Sequence, residues 1–300
     1  MKPAPFEYMA PESVDAALQL KARHGAGAQW LAGGQSLIPS LNFRCLKPDY
    51  VIDLNGLREL SYIRFESGQG VRLGGMTRYH ELEHSDVIRQ HAPMMHDAIP
   101  YIAHDAIRSR GTLGGSLAYA DPAAELPTVT TALRARYLLR SESSERWVQA
   151  EDFFVGMFQT VMQPDELLIE VEIPLPKAGA AWGFIERSRR HGDRVLMGVA
   201  ATLTLQPDGT CADARLVYQN GAPAPRLAPQ AAASLNGKAL TDEHIVAAAK
   251  QAAYEEIDPE SDVHASSAFR RQLAFELTQR ALRDARERGT AAISEEGAGA

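Results

Sequence analysis

The sequence predicts a mixed α+β chain built from two or three compact units. Three observations carry that reading. The 300 residues are 45% hydrophobic and 23% charged, enough apolar material for real cores. Helical and strand-like stretches alternate near the start and segregate into strands and then helices near the end. Pro174, Pro176 and Gly179 interrupt the pattern at one place and mark a domain boundary.

Taken in order, Ser13 caps a helix with a Val14, Ala17, Leu18 stripe, and His24-Gly25 closes it. A strand at Gln29 to Ala32, a short helix after Ser36 and a strand at Tyr50 to Asp53 complete a small α/β unit over residues 1–57. It resembles half of a nucleotide-binding fold without the dinucleotide fingerprint. Residues 58–176 read as a second, α+β unit. It opens with a hairpin, Leu60 to Phe65 and Val71 to Leu73 around Ser67-Gly68-Gln69-Gly70, and continues with a helical stretch from Arg78 to Tyr101. Strands follow at Tyr137 to Leu139, Trp147-Val148 and Leu167 to Ile173.

Residues 177–288 read as antiparallel strands, Trp182 to Glu186, Gly198 to Leu205 and Ala214 to Tyr218, with a turn at Pro207-Asp208-Gly209. Helices then take over. In the last, from about Ser266, Phe269, Leu273, Leu277 and Ala281 recur at helical spacing, and Gly289 is expected to stop it. A small, acidic tail over residues 289–300 is expected to be disordered.

Composition excludes several roles. A net charge of −7 and a pI near 5.7 argue against the broad basic face that nucleic acid or anionic membrane requires. The opening MKPAPFEYMAPES has no apolar stretch of signal-peptide length and no window approaches a membrane span, so a cytoplasmic location is the expectation. Cys45 and Cys211 are the only cysteines, too few for an iron–sulfur cluster or a four-cysteine zinc site.

Two glycine segments carry the best chemical signal: Gly33-Gly34-Gln35-Ser36 and Thr112-Leu113-Gly114-Gly115-Ser116. Glycine lets backbone approach a ligand closely and turn N–H groups toward one point, which suits phosphate oxygens. Each alone is compatible with an ordinary tight turn; the pair matches the two anionic centres of a diphosphate. Neither is G-x-G-x-x-G or a P-loop.

His80-Glu81-Leu82-Glu83-His84 matches H-E-x-x-H literally, but its charged surroundings read as a solvated helix, and no metal site is expected there. Arg187, Arg189 and Arg190 form a local positive patch, either a solvated strand end or a docking surface for an acidic partner. Asp121 and Glu125 could accept hydrogen bonds from a ribose or a flavin, or simply start a helix. No G-x-S-x-G segment is present and nucleophilic catalysis has no support.

At this point the residues resemble a known family. AGGQSL at Ala32 to Leu37, IRSRGTLGGSLAYADPAAELP at Ile107 to Pro127, DELLIEVEIP at Asp165 to Pro174, RRHGD at Arg189 to Asp193 and SSAFRRQLAFELTQRAL at Ser266 to Leu282 are similar to the flavoprotein medium subunit of molybdenum-containing hydroxylases. The resemblance implies a two-part FAD-binding region of the vanillyl-alcohol-oxidase or p-cresol-methylhydroxylase type, followed by a C-terminal domain of antiparallel sheet plus helices. It implies FAD contacts from Leu31, Ala32, Gly33, Gly34, Gln35, Ser36, Leu37 and Ile38 on one side of the diphosphate, and from Thr112, Gly114, Gly115 and Ser116 on the other. Glu125 falls at the adenosine side, and Ile102 and Leu168 fall where the family packs apolar groups against the flavin. Some relatives carry a lysine on the strand before the arginine pair, where the candidates here are Ile185, Glu186 and Arg187 with Glu186 the favoured counterpart, and Arg194 stands where many carry an aromatic residue.

The implied role is electron transfer within a heterotrimer. A large subunit would hold molybdopterin, a small one two [2Fe–2S] clusters, and FAD here would pass electrons to an external acceptor, in a dimer of heterotrimers. No catalytic side chain and no metal are expected in this chain. The alternative is a self-sufficient FAD-dependent oxidase or dehydrogenase of the same wider fold.

Overall fold

The computed structural model describes residues 2–298, with side chains as far as residue 293. The chain divides into two compact units. The first comprises Met1–Ala92, Ala103–Ala120 and Ala135–Pro174; the second comprises Pro93–Ile102, Asp121–Arg134 and the chain from Leu175 onward. Neither unit is one contiguous stretch, because two helices from the middle of the chain take their partners among later strands.

Among the described residues the first unit contains two larger sheets and a two-stranded ribbon. β1 (Glu7–Met9), β2 (Ala28–Leu31) and β3 (Tyr50–Asp53) form a parallel sheet in the order β1-β3-β2. Its crossover helix, Val14–His24, begins where the Ser13 hydroxyl accepts from the Ala16 N–H at 3.2 Å and buries Val14, Ala17 and Leu18. Those side chains pack with Ala28, Ile52, Leu54 and Leu57 in one cluster. The Lys21 ammonium ends in that core, donating to the Ala28 carbonyl at 2.5 Å and the Gly25 carbonyl at 3.1 Å.

The second sheet is antiparallel, in the order β4-β5-β10-β6-β7. Its strands are β4 (Ile63–Glu66), β5 (Gly70–Gly74), β6 (Arg136–Arg140) and β7 (Glu145–Gln149), a two-stranded ribbon of β8 (Phe154–Gly156) and β9 (Gln159–Thr160) intervening before β10 (Leu167–Pro174). β10 is central, pairing with β5 and β6, and buries residues on both faces as a central strand should. The register with β6 shifts between Leu168 and Glu170, and on the β5 side the Gly75 N–H donates to the Ile169 carbonyl at 2.9 Å.

The helical stretch expected from Arg78 to Tyr101 is present as four short pieces. Tyr79–Glu83 ends at His84, Ser85 caps Asp86–His91 through the Ile88 N–H at 3.3 Å, and Pro93 opens Pro93–Ala98, which runs into the turn Ile99–Tyr101. Local caps here override the helical period.

The second unit is an antiparallel sheet of β11 (Ala180–Arg187), β12 (Met197–Leu205), β13 (Cys211–Gln219) and β14 (Arg226–Leu227). One face carries the helix Ser267–Ala298, joined in a single core by Asp242–Gln251 and Pro229–Ala233. Leu277, Ala281, Leu282 and Ala285 meet Val199, Ala201 and Leu203 there, and the Tyr218 hydroxyl hydrogen-bonds Thr278 at 2.7 Å. The helix Glu125–Ala132, buried along its length, joins this unit: Arg215 donates to the Thr131 carbonyl at 3.1 Å and Gln219 to the Ala123 carbonyl at 2.7 Å.

Gly289 does not stop the last helix, which runs on to Ala298. A β-carbon there would lie 3.1 Å from that of Leu205 and 3.2 Å from that of Ala181, so glycine serves close packing against the sheet rather than termination. The tail expected to be disordered is therefore helical over residues 289–298, and its last two residues lie outside the described residues.

Candidate functional site

The first unit brings the two glycine segments together. β2 delivers the chain to Leu31, whose carbonyl accepts from the Leu54 N–H at 2.9 Å, and the backbone then leaves the sheet through Ala32 and Gly33. Gly34 has φ of 73°, a conformation glycine adopts without penalty. A hydrogen bond from the Ile38 N–H to the Gly34 carbonyl, 3.0 Å, closes the turn into the helix Leu37–Asn42. The Gln35 amide donates to the Gly33 carbonyl at 3.0 Å, so this side chain braces its own loop.

No hydrogen bond among the described residues uses the N–H of Gly33, Gly34, Gln35 or Ser36. Backbone donors normally find partners, so these four consecutive ones are left for solvent or a ligand.

The second segment is built differently. Thr112 is the N-cap of the helix Leu113–Tyr119, its hydroxyl accepting from the Gly115 N–H at 3.2 Å, so Gly114 and Gly115 lie in a helical first turn rather than the expected loop. Their N–H groups are already engaged: Leu113 donates to Thr77 at 3.0 Å, Gly114 to Gly75 at 2.8 Å and Ser116 to Thr112 at 3.1 Å. What the glycines supply is proximity. A β-carbon at Gly114 would stand 2.7 Å from the Gly75 carbonyl oxygen, and one at Gly115 would stand 2.6 Å from the Thr112 hydroxyl and 3.5 Å from the Ala32 β-carbon. Gly33 in turn packs on the Arg110 carbonyl. Leu168, 3% exposed, joins the same region through its carbonyl, which abuts Gly75.

Two residues that the sequence did not single out tie the segments. The Arg78 guanidinium donates to the Arg110 carbonyl and to the Asn55 side chain, while Asn55 donates to the Ala32 carbonyl at 3.0 Å. Burial, then the neighbouring Arg110, lowers the Arg78 pKa from its usual value, with Glu81 and Asp53 opposing; as an arginine it stays charged. Nothing in the local sequence marks either residue, since both act across 23 or more positions.

The second unit holds Ile102, Glu125 and Glu186. Ile102 is buried after the turn Ile99–Tyr101, and Glu125 opens its helix with 9% exposure. Glu186, on β11, is in register with Gly198 on β12, which is in register with Gln219 on β13. Gly198 has no side chain, and the Gln219 amide oxygen fills its space: a β-carbon there would lie 2.2 Å from it. Both Glu186 carboxyl oxygens and the Gln219 Oε1 are buried without a hydrogen-bond partner. Burial chiefly, then the Glu125 carboxylate, raises the Glu186 pKa, with the nearby Gln219 side chain offsetting a little. Glu125 is raised too, by burial first and by Asp121, against its own backbone hydrogen bond. Two such carboxyls do not both ionise near neutral pH.

Arg194, where an aromatic residue was expected by resemblance, pairs with Asp121 at 3.3 Å, and Asn220 holds the adjacent loop through the Pro122 carbonyl at 2.9 Å. The positive patch reads as a strand end: Arg187, Arg189 and Arg190 are exposed, and Arg189 donates to the His264 carbonyl at 3.1 Å.

A parallel α/β layer, an antiparallel sheet and a glycine segment whose backbone donors have no partner among the described residues make up the first unit. Residues 4–176 match the FAD binding domain in molybdopterin dehydrogenase and residues 182–285 match the CO dehydrogenase flavoprotein C-terminal domain. The chain belongs to this family of FAD-binding medium subunits of molybdenum hydroxylases. It is 40% identical to the 6-hydroxypseudooxynicotine dehydrogenase complex subunit alpha of Paenarthrobacter nicotinovorans, over 96% of this chain and 97% of that one. It is 33% identical to the carbon monoxide dehydrogenase medium chain of Hydrogenophaga pseudoflava, over 94% and 97%. Among solved structures, carbon monoxide dehydrogenase from that organism superposes with a TM-score of 0.91 at 34% identity, covering 95% of this chain and 98% of the other. Quinoline 2-oxidoreductase from Pseudomonas putida 86 does so with 0.91 at 35% identity, covering 96% and 99%. The chain is thus a flavoprotein subunit of the oxidoreductase class, with an FAD-binding domain. No helix among the described residues is long and apolar enough to cross a membrane.

Proposed function

We propose that this chain binds FAD and serves as the electron-transfer subunit of a heterotrimeric molybdenum hydroxylase, working between the [2Fe–2S] clusters of a small subunit and an external acceptor. Molybdopterin belongs, in this reading, to a large partner subunit. The observation that carries it is the row of free N–H groups from Gly33 to Ser36 beside the closely packed Gly114-Gly115 turn. That cradle fits a diphosphate, with Leu31 to Ile38 on one side and Thr112, Gly114, Gly115 and Ser116 on the other.

The bound flavin supplies the redox chemistry itself. The work of this chain is to bind, orient and insulate. Gly33, Gly34, Gln35 and Ser36 would donate backbone hydrogen bonds to phosphate oxygens, and Arg78 would add fixed positive charge near the loop. In the first unit Leu168 would supply apolar surface, while the contacts of Ile102, Glu125 and Glu186 are those that the family resemblance implies. The names of the relatives as complex subunits and medium chains support the assembly with partner chains.

The test is direct. Purified protein is expected to be yellow and to release FAD on denaturation. Ser116→Asp places a negative charge in the first turn of a helix, where helices tolerate it, so the fold should hold while FAD content falls at least tenfold. A colourless protein that ignores added FAD overturns the reading. Flavin reduction by small substrates without partner chains would favour a self-sufficient oxidase instead.

A further inference from the structure

We propose that His80, His84 and Glu83 form a binding site for one divalent transition-metal ion of the zinc, nickel or copper kind. The site lies within the first unit and does not depend on FAD. The literal H-E-x-x-H match misleads about its chemistry. Glu81, the motif's would-be base, is spent as a cap: its carboxylate accepts from the Arg78 N–H at 2.7 Å and from the Ser61 hydroxyl at 3.1 Å. The third donor is Glu83 instead, and the ligating atoms of His80, Glu83 and His84 all lie within 4.8 Å of one another.

Three features prepare these groups. His80 and His84 are one helical turn apart, with ring centroids 4.3 Å apart and both side chains exposed. The His84 Nδ1 sits 2.9 Å from the His80 carbonyl oxygen. A carbonyl only accepts, so Nδ1 carries the hydrogen and Nε2 presents its lone pair, the outer-shell arrangement that orients metal-binding histidines. Glu83 is anchored by Arg108, whose Nε donates to it at 2.9 Å and which is itself 9% exposed. Each carboxylate oxygen has two acceptor sites, so this pairing leaves capacity for a metal.

Two imidazoles and one carboxylate select borderline ions over calcium or magnesium. Donors about 2.1 Å from a tetrahedral zinc stand roughly 3.4 Å apart, so the side chains must close by up to about 1.4 Å. Exposed imidazoles can do this by small torsional shifts. The remaining coordination positions face water, making the site an open one with no protease chemistry.

The experiment is equilibrium titration of metal-stripped protein with zinc chloride against a chromophoric chelator, followed by electron paramagnetic resonance with copper(II) added. One zinc per chain is expected, weakened at least tenfold by His80→Gln and by His84→Gln and unchanged by His244→Gln. The copper spectrum should show two coupled nitrogens in the parent and one in either variant. Circular dichroism in the absence of metal checks that the exposed substitutions leave the fold intact. Absence of saturable binding, or binding that survives the His80→Gln, His84→Gln double variant, overturns the proposal.

Discussion

Gly33 packs so closely on Arg110 that a β-carbon would stand 2.5 Å from the Arg110 carbonyl oxygen and 2.9 Å from the Gly111 α-carbon. Both neighbours are backbone, which cannot rotate away. The two glycine segments, almost eighty positions apart in the chain, are thereby held in one place, and a methyl group at this contact must separate them. Gly33→Ala is expected to lower stability by about 1–3 kcal/mol, the range for forced overpacking. It should also reduce FAD content more than the stability loss explains. Thermal unfolding with and without added FAD checks both. Full FAD occupancy at a reduced Tm would show that the close approach serves packing alone.

The Thr112 cap makes a separable prediction. Its hydroxyl satisfies the Gly115 N–H at the start of a seven-residue helix. Thr112→Ala should cost about 1 kcal/mol, and Thr112→Ser, which keeps the oxygen, much less. Equal losses for the two in denaturant unfolding would mean that the methyl, not the cap, matters.

Glu186 predicts a pH dependence. Its folded-state pKa is raised by burial and by Glu125, above the ordinary value of 4.5. The folded state therefore holds more protons than the unfolded one once pH exceeds about 4.5, and stability should decline as pH rises through neutrality toward the raised value. Glu186→Gln removes the charge at similar size, so its stability curve should be flatter and should lie above the parent's at pH 8. Measured without cofactor, a parent curve that rises with pH over that window would contradict the buried, unpartnered carboxyl.

In the second unit Gly183 on β11 meets the last helix, with its missing β-carbon 2.1 Å from the Ala281 carbonyl oxygen. Gly183→Ala should cost about 1–3 kcal/mol by pushing helix from sheet. The neighbouring Ala181→Gly, which removes a methyl from the same interface, should cost less than half as much. Paired urea melts compare them.

Much of the fold was legible because its elements obey local rules. Ser13 caps, the period of Val14, Ala17 and Leu18, and the turn at Asp208-Gly209 each act within a few residues, and the structure has them where the sequence places them. The stretch from Arg78 to Tyr101 reads as helical and is so, but the structure divides it into short pieces because His84, Ser85 and Pro93 interrupt it locally. Gly289 was misjudged because glycine after a helical run signals an end, whereas here it lets the helix lie close to Ala181 and Leu205.

The sequence by itself determined the class of most segments, the two glycine motifs and the family, because composition, period and motif spacing are properties of nearby residues. Tertiary structure alone decided what the motifs do. It left the Gly33 to Ser36 donors free while engaging those of Leu113 to Ser116. It placed Glu186 across Gly198 from Gln219, and it drew Arg78 and Asn55 to the loop. Those outcomes depend on strand register and on contacts between residues distant in sequence, and neither is encoded in any short stretch of the chain.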